Sequence, residues 1–317
     1  SPRAWTTCAR SYLGSGRTAT LVDMGGAHVC ALLDDGAVKC WGANPNGQLG
    51  LGDTRDRGAD PTDMGDALPA VSLGTGRTAK MIATGQIHSC ALLDNGTVKC
   101  WGLNDSGDLG LGDMATRGDN ANEMGDDLPA INVGTGRTVQ FIAAGAFHTC
   151  VLLDNGTLKC WGNNAYGQLG LGNTADRGAN QNQMGDNLPA VNLGTGRSAK
   201  SVVAGGFHTC ALLDNDTVKC WGNNTQGELG LGDVMARGAS PTTIGDQLPP
   251  VDLGTSRVAK LVSLGSSFSC ALLDNGAVKC WGFNNGGQLG LGDVSNRGDN
   301  ANEMGDRLPI VNIVGGN

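Results

Sequence analysis

The sequence predicts an all-β fold built from five copies of one unit. Three observations carry that prediction. A stretch reading CALLDNGAVKCWG at 270–282 recurs four times upstream with light variation. The copies fall 60 residues apart without one insertion, and a fixed period of that size marks a repeat architecture. Inside each copy, apolar residues alternate around an Asp-Asn-Gly type turn, the signal of a β-hairpin, and no stretch shows helical periodicity.

The hairpin register follows from the turn. With Asp34, Asp35 and Gly36 as a three-residue loop, Gly36 supplies the left-handed conformation that ends a type I turn. Leu33 then faces Ala37, Leu32 faces Val38, Ala31 faces Lys39 and Cys30 faces Cys40. Three steps from a hydrogen-bonded closing pair, the cysteines fall on a non-hydrogen-bonded pair with Cα atoms about 4.5 Å apart. That lies just inside the range a disulfide tolerates. One cross-strand disulfide per unit is expected: Cys30–Cys40, Cys90–Cys100, Cys150–Cys160, Cys210–Cys220 and Cys270–Cys280. Ten buried free thiols, or pairing between neighbouring units, are the alternatives. Zinc ligation fits less well, because C-x9-C around a turn lacks the short knuckle spacing of zinc sites.

Composition narrows the class. Of 317 residues, 53 are glycine, and they recur at fixed positions, so they mark turns and close approaches rather than a disordered linker. The net charge of −8 and the absence of a basic run argue against nucleic acid or an anionic membrane surface as partner. No apolar run reaches the roughly 18 residues that span a bilayer. The chain opens on Ser1 without a leader, as expected of a processed or partial protein, any signal peptide being already gone. Paired cysteines imply an oxidising compartment, so an extracellular or cell-surface location is expected.

Taken in order, residues 1–13 do not read as the repeat, but Cys8 falls at the position of Leu68, Leu128, Leu188, Leu248 and Leu308. From Gly14 the pattern is in force, with GSGR, GTGR or GTSR opening each unit. The units run about 14–73, 74–133, 134–193, 194–253 and 254–313, one repeat domain over 1–317. An apolar run follows, MIATG after Lys80 and FIAAG after Gln140, read as a buried strand. Next stands His28, His88, His148 or His208, with Phe268 in the fifth unit. A ring of histidines suggests metal, but the phenylalanine favours packed rings with one hydrogen bond each. Trp41, Trp101, Trp161, Trp221 and Trp281 close the hairpins and are expected to pack between sheets.

After the tryptophan comes GxNxxGQLGLGD, as in 42–53. With Gly36, Trp41, Gly42, Asn44, Gly47, Gln48, Leu49 and Gly50 in place, the chain resembles the regulator of chromosome condensation repeat family. All five periods carry the motif; Asp108 and Glu228 stand for the glutamine, and Asp216 for the turn glycine. The resemblance implies a β-propeller of four-stranded antiparallel blades. Such propellers usually close seven blades, and the nuclear and cytosolic relatives lack a cysteine pair per hairpin. Chromatin binding and nucleotide exchange are therefore not carried over.

The rest of each unit is a loop, 53–69 in the first. Its recurring acids, Asp53 and Asp66 and their equivalents, suggest calcium. Varied residues between them favour Asp53 paired with Arg57 and Asp66 at a turn. Arg117-Gly118-Asp119 and Arg297-Gly298-Asp299 spell an adhesion tripeptide, but Arg-Gly recurs in every unit and chance explains it. Sequons at Asn95, Asn155 and Asn215 sit on hairpin tips, and those at Asn104 and Asn223 follow the tryptophan; all five are candidate N-glycosylation sites. Residues 301–317 repeat the phase of 1–17, so one end segment is surplus. Segments 1–13 and 308–317 are expected at the ring seam or at a subunit contact, with Cys8 unpaired or intermolecular.

No catalytic constellation survives inspection, and the glycine-rich openings precede strands, which is not a phosphate-loop context. A non-enzymatic secreted or surface propeller is expected, with no cofactor, acting as a building block of an extracellular assembly. Its partner is a protein or another copy of itself. The alternative is a specific binding module, such as a secreted enzyme inhibitor, an adhesin or a lectin-like binder; the resembling family includes a secreted propeller that inhibits β-lactamases. That alternative expects exposed aromatics on one face, for which Trp5, Tyr12, Tyr166 and the phenylalanines are candidates.

Overall fold

The structure is a computed structural model and describes residues 13–313. Each unit contributes three strands. The first has β1 (Ala19–Met24), β2 (His28–Leu33) and β3 (Val38–Gly42); the second β4 (Ala79–Thr84), β5 (His88–Leu93) and β6 (Val98–Gly102). The third has β7 (Val139–Ala144), β8 (His148–Leu153) and β9 (Leu158–Gly162); the fourth β10 (Ala199–Ala204), β11 (His208–Leu213) and β12 (Val218–Gly222). The fifth has β13 (Ala259–Leu264), β14 (Phe268–Leu273) and β15 (Val278–Gly282). In every unit the three strands pair antiparallel in chain order, giving five separate sheets.

The hairpin register is the one the turn dictates: Cys30 faces Cys40, Ala31 faces Lys39 and Leu32 faces Val38, with Leu33 N–H donating to Ala37 O at 2.8 Å. All five cross-strand disulfides are formed, with Cα separations of 4.0–4.1 Å. Gly36 sits at φ 80°, and Asp216, which replaces it in the fourth unit, is held at φ 65°. A side chain in that left-handed region is strained.

The fourth strand expected of each blade is reduced to a single bridge. Gly42 N–H donates to Arg57 O at 2.8 Å and Arg57 N–H donates back at 3.1 Å, and the pairing stops there. Gly58, at φ 92°, turns the chain away immediately afterwards. The same bridge recurs between Gly102 and Arg117, Gly162 and Arg177, Gly222 and Arg237, and Gly282 and Arg297.

The core lies between blades rather than within them. Cys30, Leu32 and Val38 of the first unit, Ala91, Leu93 and Trp101 of the second, and Val71 and Leu73 of the connecting segment form one buried cluster. Equivalent clusters fill the next three junctions. A sheet that is apolar on both faces cannot stand alone, so each blade is stabilised by the next. Residues 308–313 take the seat on the fifth blade that 68–73 take on the first: Leu308 is buried, and Val311 N–H donates to Val278 O at 2.8 Å as Val71 N–H does to Val38 O.

The blade series is not closed among the described residues. Val22 of β1 is 53% exposed, whereas its equivalents Ile82, Ile142, Val202 and Val262 are at most 6% exposed. Leu272 on β14 is 36% exposed, against 4–7% for Leu32, Leu92, Leu152 and Leu212. Trp41 is half-buried while the four later tryptophans are fully buried. Among the described residues, nothing covers one face of the first blade and one face of the fifth.

Candidate functional site

The four histidines belong to the junctions. His28 Nε2 lies 2.8 Å from Ser89 Oγ of the next blade. Ser89 Oγ donates to Gln48 O at 2.9 Å, and Trp101 Nε1 donates to the same carbonyl at 3.0 Å. Because the hydroxyl proton is spent on Gln48, the histidine must donate from Nε2. A relay therefore runs from histidine through hydroxyl to carbonyl, with the indole N–H closing on the same oxygen. It repeats as His88–Thr149–Asp108–Trp161, His148–Thr209–Gln168–Trp221 and His208–Ser269–Glu228–Trp281. The hydroxyl at the next repeat position in units two to five (Ser89, Thr149, Thr209 and Ser269) was the signal for this network, which the sequence reading missed. Burial depresses the imidazoles, His28 to about 4 and the other three to about 3, so all four stand neutral.

The motif glycines have the same explanation. A methyl on Gly50 would lie 2.7 Å from Trp101 Nε1, and one on Gly47 would run into the backbone at Gly118 and Asp119 of the next unit. Asn44 ties the loop together: Leu49 N–H donates to its Oδ1 at 2.9 Å, and its Nδ2 donates to Asp53 O at 2.7 Å.

This corrects one candidate glycosylation site. Asn104 is fully buried, and its Nδ2 donates to Asp113 O and Ala115 O, as at the other four units. The nitrogen that would carry a glycan is spent inside the fold, so the sequon there is structural. Asn95, Asn155 and Asn215 are exposed at the hairpin tips, where each Oδ1 accepts the N–H of Thr97, Thr157 or Thr217. Asn223 is half-buried and donates to Thr225 Oγ1 at 3.0 Å.

The acidic loops are occupied by protein groups. Asp53 pairs with Arg57 at 2.7 Å, and Asp66 accepts Ser15 N–H at 2.8 Å. The same pairs recur as Asp113–Arg117 and Asp126–Thr75. Among the described residues no cluster of three or more histidine, cysteine, aspartate or glutamate side chains could hold a metal. The Arg-Gly-Asp tripeptide is folded inward: Arg117 pairs with Asp113, and Gly118 O accepts Gly52 N–H of the preceding blade at 3.0 Å. Lys39 and its equivalents are buried, Lys39 Nζ donating to Gly65 O at 2.7 Å; this cross-link from hairpin to loop was also missed. Cys8, Trp5 and Tyr12 lie outside the described residues.

Asp108 stands where other units carry glutamine or glutamate. It is buried, Ser106 N–H donates to its Oδ2 at 3.1 Å, and its Oδ1 has no partner. Burial pushes its carboxyl up to about 7, and the nearby Asp105 and Asp176 add to the shift. Burial raises Glu228 as well.

Two surfaces remain for contact with other molecules. One is the rim of an opening on the blade axis, a cavity of about 410 Å³ lined by the turns after the first strands, including Gly26, Gln86 and Ser266. Phe147 and Phe207 follow the lining residues Ala146 and Gly206 in the chain; their rings lie 5.8 Å apart, and Tyr166 stands 5.5 Å from Phe207 edge to face. Equivalent positions hold Ala27, Ile87 and Ser267, so the aromatic cluster breaks the repeat symmetry. The other surface is the pair of uncovered end faces.

Serial blades with buried, self-satisfied junctions define a repeat propeller of the kind that serves as a protein-interaction module. The chain belongs to the RCC1-like domain family, whose profile matches residues 7–316. It is 31% identical over 278 residues to the ultraviolet-B receptor UVR8 of Arabidopsis thaliana, covering 86% of this chain and 55% of that one. It is also 31% identical over 279 residues to the E3 ubiquitin-protein ligase HERC2 of Homo sapiens, covering 86% of this chain and 5% of the ligase. The chain thus spans about half of the first relative and a small part of the second. Among solved structures, Prp20p from Saccharomyces cerevisiae superposes with a TM-score of 0.69 at 21% identity, over 93% of this chain and 64% of that one. Human WBSCR16 superposes at 0.66 with 22% identity, over 88% and 65%. These likenesses establish the propeller fold.

Proposed function

We propose that this chain is a non-enzymatic protein-interaction propeller working in an oxidising, extracellular or cell-surface setting, where it serves as a rigid building block. The observation that supports the reading is the disulfide in every blade hairpin. Five such bonds persist where thiols are not kept reduced. Each closes a short loop and contributes on the order of 2–3 kcal/mol in the chain-entropy model. The exposed sequons Asn95, Asn155 and Asn215 are compatible with glycans at the hairpin tips, Asn223 less so. Assembly through the end segments, with Cys8 bridging subunits, belongs to the same reading. Protein partners fit the family: Prp20p from Saccharomyces cerevisiae binds Gsp1p and histones, and Kap60 binds yeast RCC1.

Labelling intact source cells with a membrane-impermeant amine reagent tests the setting. Labelled chain on intact cells, or chain in the medium, supports it. Chain protected until lysis, with reduced thiols, overturns it.

A second reading is favoured by the Phe147–Phe207–Tyr166 cluster, two half-buried phenylalanines beside an exposed tyrosine, since aromatic anchors of this kind serve specific binders. Affinity capture from the native source, with wild type against a Phe147→Ser/Phe207→Ser pair, tests it. A single partner lost from the variant supports the specific binder; equal recovery by both removes it.

A further inference from the structure

We propose that the uncovered faces of the first and fifth blades are the two halves of one docking interface, and that its occupant is a second copy of this chain joined head to tail. The interface is already used four times within the molecule, and among the described residues the first and fifth blades retain its unpaired halves. Gln288 O stands where Gln48 O, Asp108 O, Gln168 O and Glu228 O each receive an indole N–H, and Trp41 carries an indole without that acceptor among the described residues. Gly52 N–H donates to Gly118 O and Gly232 N–H to Gly298 O, whereas the corresponding Gly292 N–H and Gly58 O are unpaired among the described residues. A methyl on Gly227 would run into the backbone of Asp299, but on Gly287 or Gly292 it would meet nothing within 4 Å.

The substitutions at the ends match each other. The histidine-to-hydroxyl contact joins every internal junction, and the sequence abandons both partners only at the ends: Phe268 replaces the histidine on the fifth blade, and Val29 replaces the hydroxyl on the first. A face built for water would gain polar groups. Here the polar pair becomes an apolar pair, and Val22, Met24, Leu261 and Leu272 are exposed beside it. In a head-to-tail contact Phe268 of one copy meets Val29 of the next, whose Trp41 indole gains the Gln288 carbonyl as its acceptor. The contact is heterologous, so each added copy leaves one face of each kind free.

This inference names the partner in the scaffold reading above and rests on it. Cell labelling tests the setting and solution mass tests the contact, so the two fail separately. Light scattering behind size-exclusion chromatography is read for wild type, Val22→Glu, Leu272→Glu and an equimolar mixture of the two variants. The reducing agent is omitted, and all-serine Cys8 variants (Cys8→Ser) are run alongside, so that covalent dimers are not counted. Wild type should grow in mass with concentration, and each variant alone should be monomeric with an unchanged unfolding transition. The mixture should stop at a dimer, since each variant retains the face the other has lost. Phe268→His should weaken assembly, and adding Val29→Ser should restore it. A wild type that stays monomeric at every concentration overturns the proposal, with slow hydrogen exchange around Trp41 identifying a ring closed on itself. Assembly indifferent to both glutamates overturns it equally.

Discussion

Replacing Asp108 by asparagine should stabilise the protein, by an amount that depends on pH. The native carboxyl is pushed up to about 7, against 3.8 for the free side chain. An acid whose folded-state pKa is raised binds its proton more tightly in the native state. Stability is then greatest below the unfolded value and is lost as pH rises from about 4 to about 7. A gap of about three units corresponds to on the order of 4 kcal/mol, at about 1.4 kcal/mol per unit. Asparagine retains an acceptor for Ser106 N–H and removes the titration. Wild type and Asp108→Asn should therefore unfold within about 1 kcal/mol of each other near pH 4, and the variant should gain up to about 4 kcal/mol by pH 8. Urea unfolding followed by tryptophan fluorescence at four pH values measures the difference, in which the histidine contribution cancels. A pH-independent difference would refute the buried, unpaired carboxyl as the cause.

Three further outcomes follow from the junctions and turns. The histidines titrate in the opposite sense: their native pKa values lie below the unfolded value of 6.5, so stability present above pH 6.5 is lost as pH falls towards 4. His148→Phe, which copies the fifth unit, should flatten that slope by about one proton, as read from urea midpoints between pH 6.5 and 4.5. Asp216→Gly should raise stability by about 1 kcal/mol by relieving a left-handed side chain, and its exposed pair with Lys200 is too solvated to offset this. Removing one disulfide as Cys150→Ala/Cys160→Ala should cost about 2–3 kcal/mol, measured by the same unfolding assay.

The hairpins were legible because their determinants are local. A turn glycine and two cysteines ten residues apart specify register, disulfide and strand pairing within one short segment. The fourth strand was not: Arg57 makes its bridge to Gly42, but the positive-φ Gly58 ends the pairing, and a recurring Arg-Gly does not reveal that by itself. The relay was hidden because its members lie 61, 41 and 53 residues apart and meet only when blades stack. Its trace in the sequence was the Ser or Thr at 89, 149, 209 and 269, one position after the histidine or its Phe268 replacement, with Val29 in its place in the first unit. Asn104 matched a modification motif, yet its recurrence as Asn44, Asn164, Asn224 and Asn284 marked it as a loop-forming residue. Phe147, Phe207 and Tyr166 came from two units and two different repeat positions, so the sequence alone gave no reason to group them.

The account stands on a covalent staple within each blade, and mass spectrometry of native protein tests that directly. Alkylation without reductant should leave the ten hairpin cysteines unlabelled. Reduction should add two hydrogens for each of the five disulfides, and unreduced digests should yield Cys30 joined to Cys40 and its four equivalents. Native thiols that react freely, or linked peptides joining cysteines of neighbouring units, would contradict it.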